Sequence, residues 1–399
     1  MNEQINITAK DYDTAMCTDG FMFATDNCRE FVDKVSDYEK LDSYKRVSVS
    51  DITTFPLQDE EELVDHFLDG NTGFEPALSD TIKGKTQLKI KFKDSDDNEY
   101  MYPLRDTAVK SLLDRAKISG ASLSRMSKTQ LATVLNMCYC LYTSSNALVY
   151  VNNHKVSAVL SGDSKDFSVL PLNSLLDKLH NKFDELSFQF KFLHGYLDHS
   201  YIIASYAITD GDLLDTYKQA MNEHNISFNP NKLNAVVRFI SSNVGLSTAK
   251  VSCYIRNGEN FICLGTACST PHRSAHTVDD FADSLNGMFA GYREKLSCLE
   301  KLMDIQLKYP IDVMTKICQK FKLPKQESID AISLFESYTG TNSSTAYDVY
   351  MALQEVIYNC KVNKFLETKT LIYSEDLSKA VMFSADTWKS LDKPLKVSW

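Results

Sequence analysis

No run of apolar residues in this sequence approaches the roughly 18 needed to cross a bilayer, so no membrane-spanning helix is expected. The opening residues, MNEQINITAKDYD, lack the basic segment, apolar stretch and cleavage site of a secretory signal, from which a soluble, cytoplasmic protein is expected. There is no G-x-x-x-x-G-K-[ST] and no G-x-G-x-x-G after a strand pattern, which excludes the standard nucleotide cradles. DSKDF and DGDLLD lack the ligand count and bidentate glutamate of a calcium loop. An excess of positive charge is missing too. The net charge of −10 and pI near 5.4 mean that the whole molecule repels polyanions and acidic membranes, so nucleic-acid binding would need a local patch.

What is present is enough to fold. The 399 residues are 43% hydrophobic, with 21 phenylalanines and 20 tyrosines, and their number favours two or three domains. The ten cysteines sit mostly in apolar segments such as NMCYCLY and KICQKF and read as reduced thiols used as small hydrophobes. Residues 1–105 mix short elements: VSVSDITTF reads as a strand, DEEELVDHFLDG as an acidic helix, and TQLKIKFKDSDDNEYMYPL as a hairpin. Helical spacing follows from Ala108 to Ala116, Ser127 is placed to cap the next helix, and NNHK joins two β runs. Pro171 and Asn173 mark a helix start, and RNGEN carries a hairpin turn signal.

An extended β core is expected over 148–267. From Thr277 the positions Phe281, Leu285, Phe289, Tyr292, Leu296, Leu299 and Met303 predict one helix of about 30 residues, followed by three shorter helices. The fold class expected is α+β: a small α+β N-terminal module (1–105), an α+β core with an extended β-rich centre (106–275) and a helical C-terminal subdomain (276–399).

Chemistry is concentrated in CSTPHRSAHT, Cys268 to Thr277. Thr277 followed by Asp279 and Asp280 reads first as a helix start. His272, Arg273 and His276 are the candidate binding residues, for an anion or a partner carboxylate. Cys263, Cys268, His272 and His276 form an alternative zinc set. The His spacing fits zinc, but Cys253 and Cys263 are separated by a whole hairpin turn and do not supply its tight thiol pair. A Cys268–His276 nucleophilic pair lacks an orienting group nameable from sequence. Nucleic-acid binding has two candidate patches. One is Lys83, Lys85, Lys89, Lys91 and Lys93, where alternation with Leu88, Ile90 and Phe92 reads first as a strand protecting a sheet edge. The other is Lys316, Lys320, Lys322 and Lys325, across a possible helix-turn-helix that reads first as ordinary helix packing.

Three phrases resemble a family of phage- and plasmid-borne proteins of unknown function: Ala158-Val159-Leu160-Ser161 ending a β segment before a helix, Asn243-Val244-Gly245 with Ser247, and Arg273 with His276-Thr277 before a long helix. The likeness covers about residues 105–360, with TAYDVYMALQEVIYN near its end. The resemblance implies a mobile element, often beside genes that counter host restriction, and implies no catalytic residue. The function expected is a non-enzymatic intracellular protein that binds a host or phage macromolecule, protein or nucleic acid, with counter-defence as one use. No cofactor and no membrane association are expected. A lysine-patch nucleic-acid binder and a zinc-containing or Cys/His enzyme are the alternatives.

Overall fold

The computed structural model describes residues 21–56 and 88–395, apart from 95, 143–144, 164–165, 187, 210–211, 259, 341 and 366. The opening segment 1–13, the acidic segment 59–70, Lys83 and Lys85 lie outside the described residues.

Strand β1 (Met22–Thr25) leads through Asn27 into α1 (Cys28–Glu39). The Asn27 side chain accepts from the amides of Arg29 and Glu30, donors that a helix start leaves open. Phe31, Val35 and Tyr38 form the buried stripe of α1. The stretch expected as one strand is two, β2 (Asp42–Ser48) and β3 (Thr53–Pro56), around a 3-10 turn at Val49–Asp51. Pairing explains the break: β2 bonds to the 146–152 strand and β3 to the 88–93 strand, in different sheets.

β4 (Leu88–Lys93) and β5 (Glu99–Pro103) form the expected hairpin, but β4 is the middle strand of β3-β4-β5, not an edge. α2 (Asp106–Arg115) and α3 (Lys128–Tyr139) follow, and Ser127 with Gln130 completes a capping box on α3. β6 (Asn146–Asn152) and β7 (Lys155–Ser161) are joined by Asn153 and His154, left-handed at φ 46° and 59°, the two-residue turn that the expected hairpin needs. After Pro171, α4 (Leu172–Glu185) begins with the amides of Leu172 and Asn173 held by the Glu39 carboxylate.

The main sheet is built from β1, β8 (Phe190–Asp198) and β9 (Ile202–Ile208). After α5 (Asp215–Glu223) it is completed by β10 (Leu233–Ser241), β11 (Ala249–Asn257) and β12 (Asn260–Thr270). All pairs in the order β1-β8-β9-β10-β11-β12 are antiparallel. One face sends Tyr206, Val237, Phe239, Val251 and Ile255 into the main core. The other sends Ile203, Val236, Ile240 and Tyr254 into two small clusters.

The single long helix expected after Thr277 is two, α6 (Val278–Leu285) and α7 (Met288–Lys301). The amides of Asn286 and Gly287 bond back three residues to Asp283 and Ser284, a tight turn that ends α6. Met288 is fully buried where Phe289 was expected, and Tyr292, Leu296, Leu299 and Met303 are buried as expected. Gly291 lets α7 lie directly on β12, since a Cβ there would stand 2.6 Å from the Ala267 carbonyl oxygen. The chain continues through β13 (Gln306–Leu307), α8 (Pro310–Lys320), α9 (Lys325–Thr339) and β14 (Ser344–Thr345). It then forms α10 (Ala346–Val362), α11 (Glu367–Ser378) and α12 (Ala385–Leu391). Pro310 opening α8 and the Thr345–Asp348 capping box on α10 are the start signals expected.

The fold is therefore α+β, with an antiparallel β-rich centre and a helical C-terminal part. Its two large cores do not follow the expected boundaries. One joins β3, β4 and β5 to α2, α3, β6 and β7, so residue 105 falls inside it. The other joins the main sheet to α1, α4 and the C-terminal helices, so residue 275 falls inside that one. Between them runs a polar seam. Asp42 accepts from the Tyr150 hydroxyl at 2.8 Å and the Asn152 amide at 2.7 Å, with the Asn243 amide at 3.4 Å. Arg105, buried, donates to the Asn152 and Lys155 carbonyls at 3.1 and 3.2 Å and to the Ser157 hydroxyl at 2.6 Å. Among the described residues no helix is long and apolar enough to cross a membrane.

Candidate functional site

The stretch that drew the eye in the sequence is structural in its geometry. His272, 7% exposed, lies flat on Phe167 with ring centroids 5.3 Å apart. Its Nδ1 faces the Ser168 carbonyl oxygen at 3.1 Å and so carries the proton, leaving Nε2 to accept from the Ser241 hydroxyl at 3.0 Å. Burial pushes the imidazole down to about 4, so it is neutral. Arg273 is exposed, and Ser274 and Ala275 turn the chain in the left-handed region at φ 61° and 59°. Thr277 and Asp280 complete a capping box on α6, and His276 stands 3.5 Å from the Asp280 carboxylate. His276 also borders an open groove with Lys45, Arg46 and Asp94.

The zinc set does not converge. Cys263 belongs to the small cluster with Val236 and Tyr254 on one side of the sheet, whereas Cys268 packs on the main core on the other. Among the described residues no group of three or more His, Cys, Asp and Glu is placed to hold a metal ion. The Cys268 thiol, pushed up to about 11 by burial, sits beside Ser284 and is a poor nucleophile at neutral pH.

The lysine patches dissolve in the same way. Lys89 is 5% exposed, Lys91 pairs with Glu99 at 2.6 Å, and Lys93 with Asp97 at 2.9 Å. Lys316 donates to the carbonyls of Leu391 at 2.7 Å and of Lys393, closing the end of α12, and Lys320 lies 4.5 Å from the Phe383 ring. Lys322, exposed, turns the chain after α8 at φ 53°, and Lys325 opens α9. α9 is packed along α10, with the Asn359 and Asn363 amides bonded to Glu327.

The site that sequence reading missed lies on the other side of the main sheet. Register brings His194 of β8 opposite Ser205 of β9, and Ser205 opposite Arg238 of β10. The row continues to Ser252 of β11, opposite Arg238. α10 and α11 close over it, Lys361 and Glu367 coming from the helix side, to leave a chamber of about 360 Å³. Arg238 spends Nε on the Ser205 hydroxyl at 2.9 Å, and its guanidinium carbon lies 4.4 Å from the Tyr254 ring centre and 5.4 Å from that of Phe261. The Lys361 ammonium approaches Phe261 at 5.4 Å.

Among the described residues neither Arg238 nor Lys361 is in an ion pair within 4.0 Å. Desolvation, and then repulsion from Arg238, pull Lys361 below the ordinary lysine value. Glu367, the carboxylate on the helix side, is held instead by His194 Nε2 at 3.4 Å, while Asp26 takes Nδ1 at 3.0 Å. Those bonds, Glu367's first, raise the His194 pKa and favour its charged form. Phe261, Leu371 and Ile357 supply apolar wall, and Ser374 a further hydroxyl. A signal for Arg238 did exist: it is the one charge inside the apolar run NAVVRFIS. Nothing in the sequence joins it to Lys361.

No protein-family model, no curated protein and no solved structure matches this chain.

Proposed function

We propose that this chain is a non-enzymatic binding protein that captures an anionic group in the chamber between the main sheet and helices α10 and α11. The observation that carries this reading is the pair Arg238 and Lys361, two cations facing one partly desolvated space with, among the described residues, no carboxylate partner at ion-pair distance. Placing like charges together away from water costs free energy, and an anion between them offsets that cost. The chamber presents no activated nucleophile. Ser205 accepts a hydrogen bond from Arg238, and His194 is tied between two carboxylates. The molecule that brings the anion is, on this reading, of host or phage origin, in the mobile-element setting that the sequence resemblance implies. The lysine-patch alternative is less favoured, because Lys89 is buried, Lys91 and Lys93 are ion-paired and Lys316 closes the end of α12.

Calorimetric titration of the full chain with a panel of small anions tests the proposal. Saturable binding of one anion per chain, weakened at least about tenfold by Arg238→Leu, is expected, since one lost charge-assisted contact is worth about 1.4 kcal/mol or more. A full chain that binds none of them overturns it.

A further inference from the structure

Resting on that reading, we infer that the anion is the phosphomonoester of a nucleotide-sized molecule, and that its source is a free nucleoside monophosphate. Three features of the chamber carry this. The first is charge. Arg238, Lys361 and the His194–Glu367 pair leave the walls with a surplus of positive charge. A phosphomonoester, at about −1.5 to −2 near neutral pH, carries enough charge to answer both Arg238 and Lys361, whereas a carboxylate carries a single charge.

The second is the direction of the donors. Arg238 comes from the sheet, with Nη groups left over once Nε is bonded to Ser205. Lys361 and Ser374 come from the helices opposite. A planar carboxylate presents two oxygens in one plane, whereas a tetrahedral phosphate offers three outward oxygens and reaches both walls.

The third is the remaining wall. Phe261, Ile357 and Leu371 give apolar wall to an organic body, and about 360 Å³ suits one nucleotide, not a chain of them. The net charge of −10 separately disfavours a polynucleotide, whose further phosphates would meet an acidic surface.

The test is calorimetric titration of the full chain with adenosine monophosphate, inorganic phosphate, acetate and a 5′-phosphorylated oligonucleotide in parallel. Adenosine monophosphate should bind one per chain and at least about tenfold more tightly than acetate, one tenfold being about 1.4 kcal/mol. Inorganic phosphate should bind more weakly than the nucleotide, because it lacks the body that covers Phe261. Arg238→Leu and Lys361→Met should each lose at least about tenfold in nucleotide affinity, and Lys361→Met should do so while unfolding at the temperature of the parent chain. Ser374→Ala should lose about threefold, the effect of one neutral hydrogen bond.

Acetate binding as tightly as either phosphate would overturn the phosphomonoester assignment and leave anion capture standing. The oligonucleotide binding more tightly than adenosine monophosphate would overturn the free-nucleotide source. No binding of any probe would remove both this inference and the reading beneath it.

Discussion

The polar seam between the two cores and the chamber behind the main sheet are built from the same materials, and they differ in how their charged groups are answered. In the seam Asp42 accepts from two residues at hydrogen-bond distance and Arg105 donates to three acceptors, and in the loop before α6 His272 likewise uses both ring nitrogens. In the chamber two cations share a space and, among the described residues, no carboxylate forms an ion pair with either within 4.0 Å. Buried polar groups that are satisfied rigidify a fold, and those left incomplete cost stability unless something else completes them. The seam is therefore assigned to structure and the chamber to binding. Substitutions should separate the two, since seam variants lose stability and chamber variants lose affinity.

The largest expected effect is Arg105→Ala. It strands two backbone carbonyls and the Ser157 hydroxyl inside the protein. A loss of about 3–5 kcal/mol is expected, read as a lower urea midpoint at unchanged m-value. A loss below about 1 kcal/mol would break the comparison on the structural side.

Next comes the pH dependence set by Asp42. Burial, opposed by the Asn152 and Tyr150 hydrogen bonds, pushes its carboxyl up to about 7 from an ordinary value of 3.8. Between those two values the folded state holds a proton that the unfolded state has released. Stability from this group is thus fully present below about 3.8 and is lost as pH rises through about 7, by up to about 4 kcal/mol. Asp42→Asn should flatten that part of the stability profile, and an unaltered slope would show that the carboxyl is not desolvated as described.

His272→Ala should cost about 2–3 kcal/mol, from lost packing on Phe167 and two stranded partners, Ser241 and the Ser168 carbonyl. Thr277→Ala should cost about 1 kcal/mol through its capping box on α6, and Thr277→Ser almost nothing. Thermal unfolding of the three variants checks both statements.

How much of this was legible in the sequence divides along the same line. Local devices were. The NNHK turn, the Ser127 cap, the Thr277 start and the proline opening α8 each depend on residues a few positions apart. The break between α6 and α7 was not, because the apolar stripe keeps its three-or-four spacing across the turn. α11 was missed for a related reason. It is buried on several sides, Thr368, Thr370 and Ser374 among its covered residues, so it shows no clean apolar face. The chamber could not be read, because the row His194, Ser205 and Arg238 exists only once the strand registers are set, and Lys361 joins it from more than a hundred residues away. The zinc reading of Cys263 and Cys268 failed on strand geometry, which spacing alone does not fix: the two thiols end on opposite faces of the sheet.

The smallest expected effect on stability is also the sharpest test of the contrast. Lys361→Met keeps a long flexible side chain against Phe261 and removes only the ammonium. In the seam, removing a charge leaves partners stranded. Here it strands no ion-pair partner, and it relieves the desolvation and the repulsion from Arg238 that together depress the Lys361 pKa. The variant should therefore unfold within about 0.5 kcal/mol of the parent chain, or slightly above it, as expected of a position held for function at some cost to the fold. A loss of about 2 kcal/mol or more would mean that Lys361 satisfies something in the unliganded protein, and the chamber would then belong with the seam.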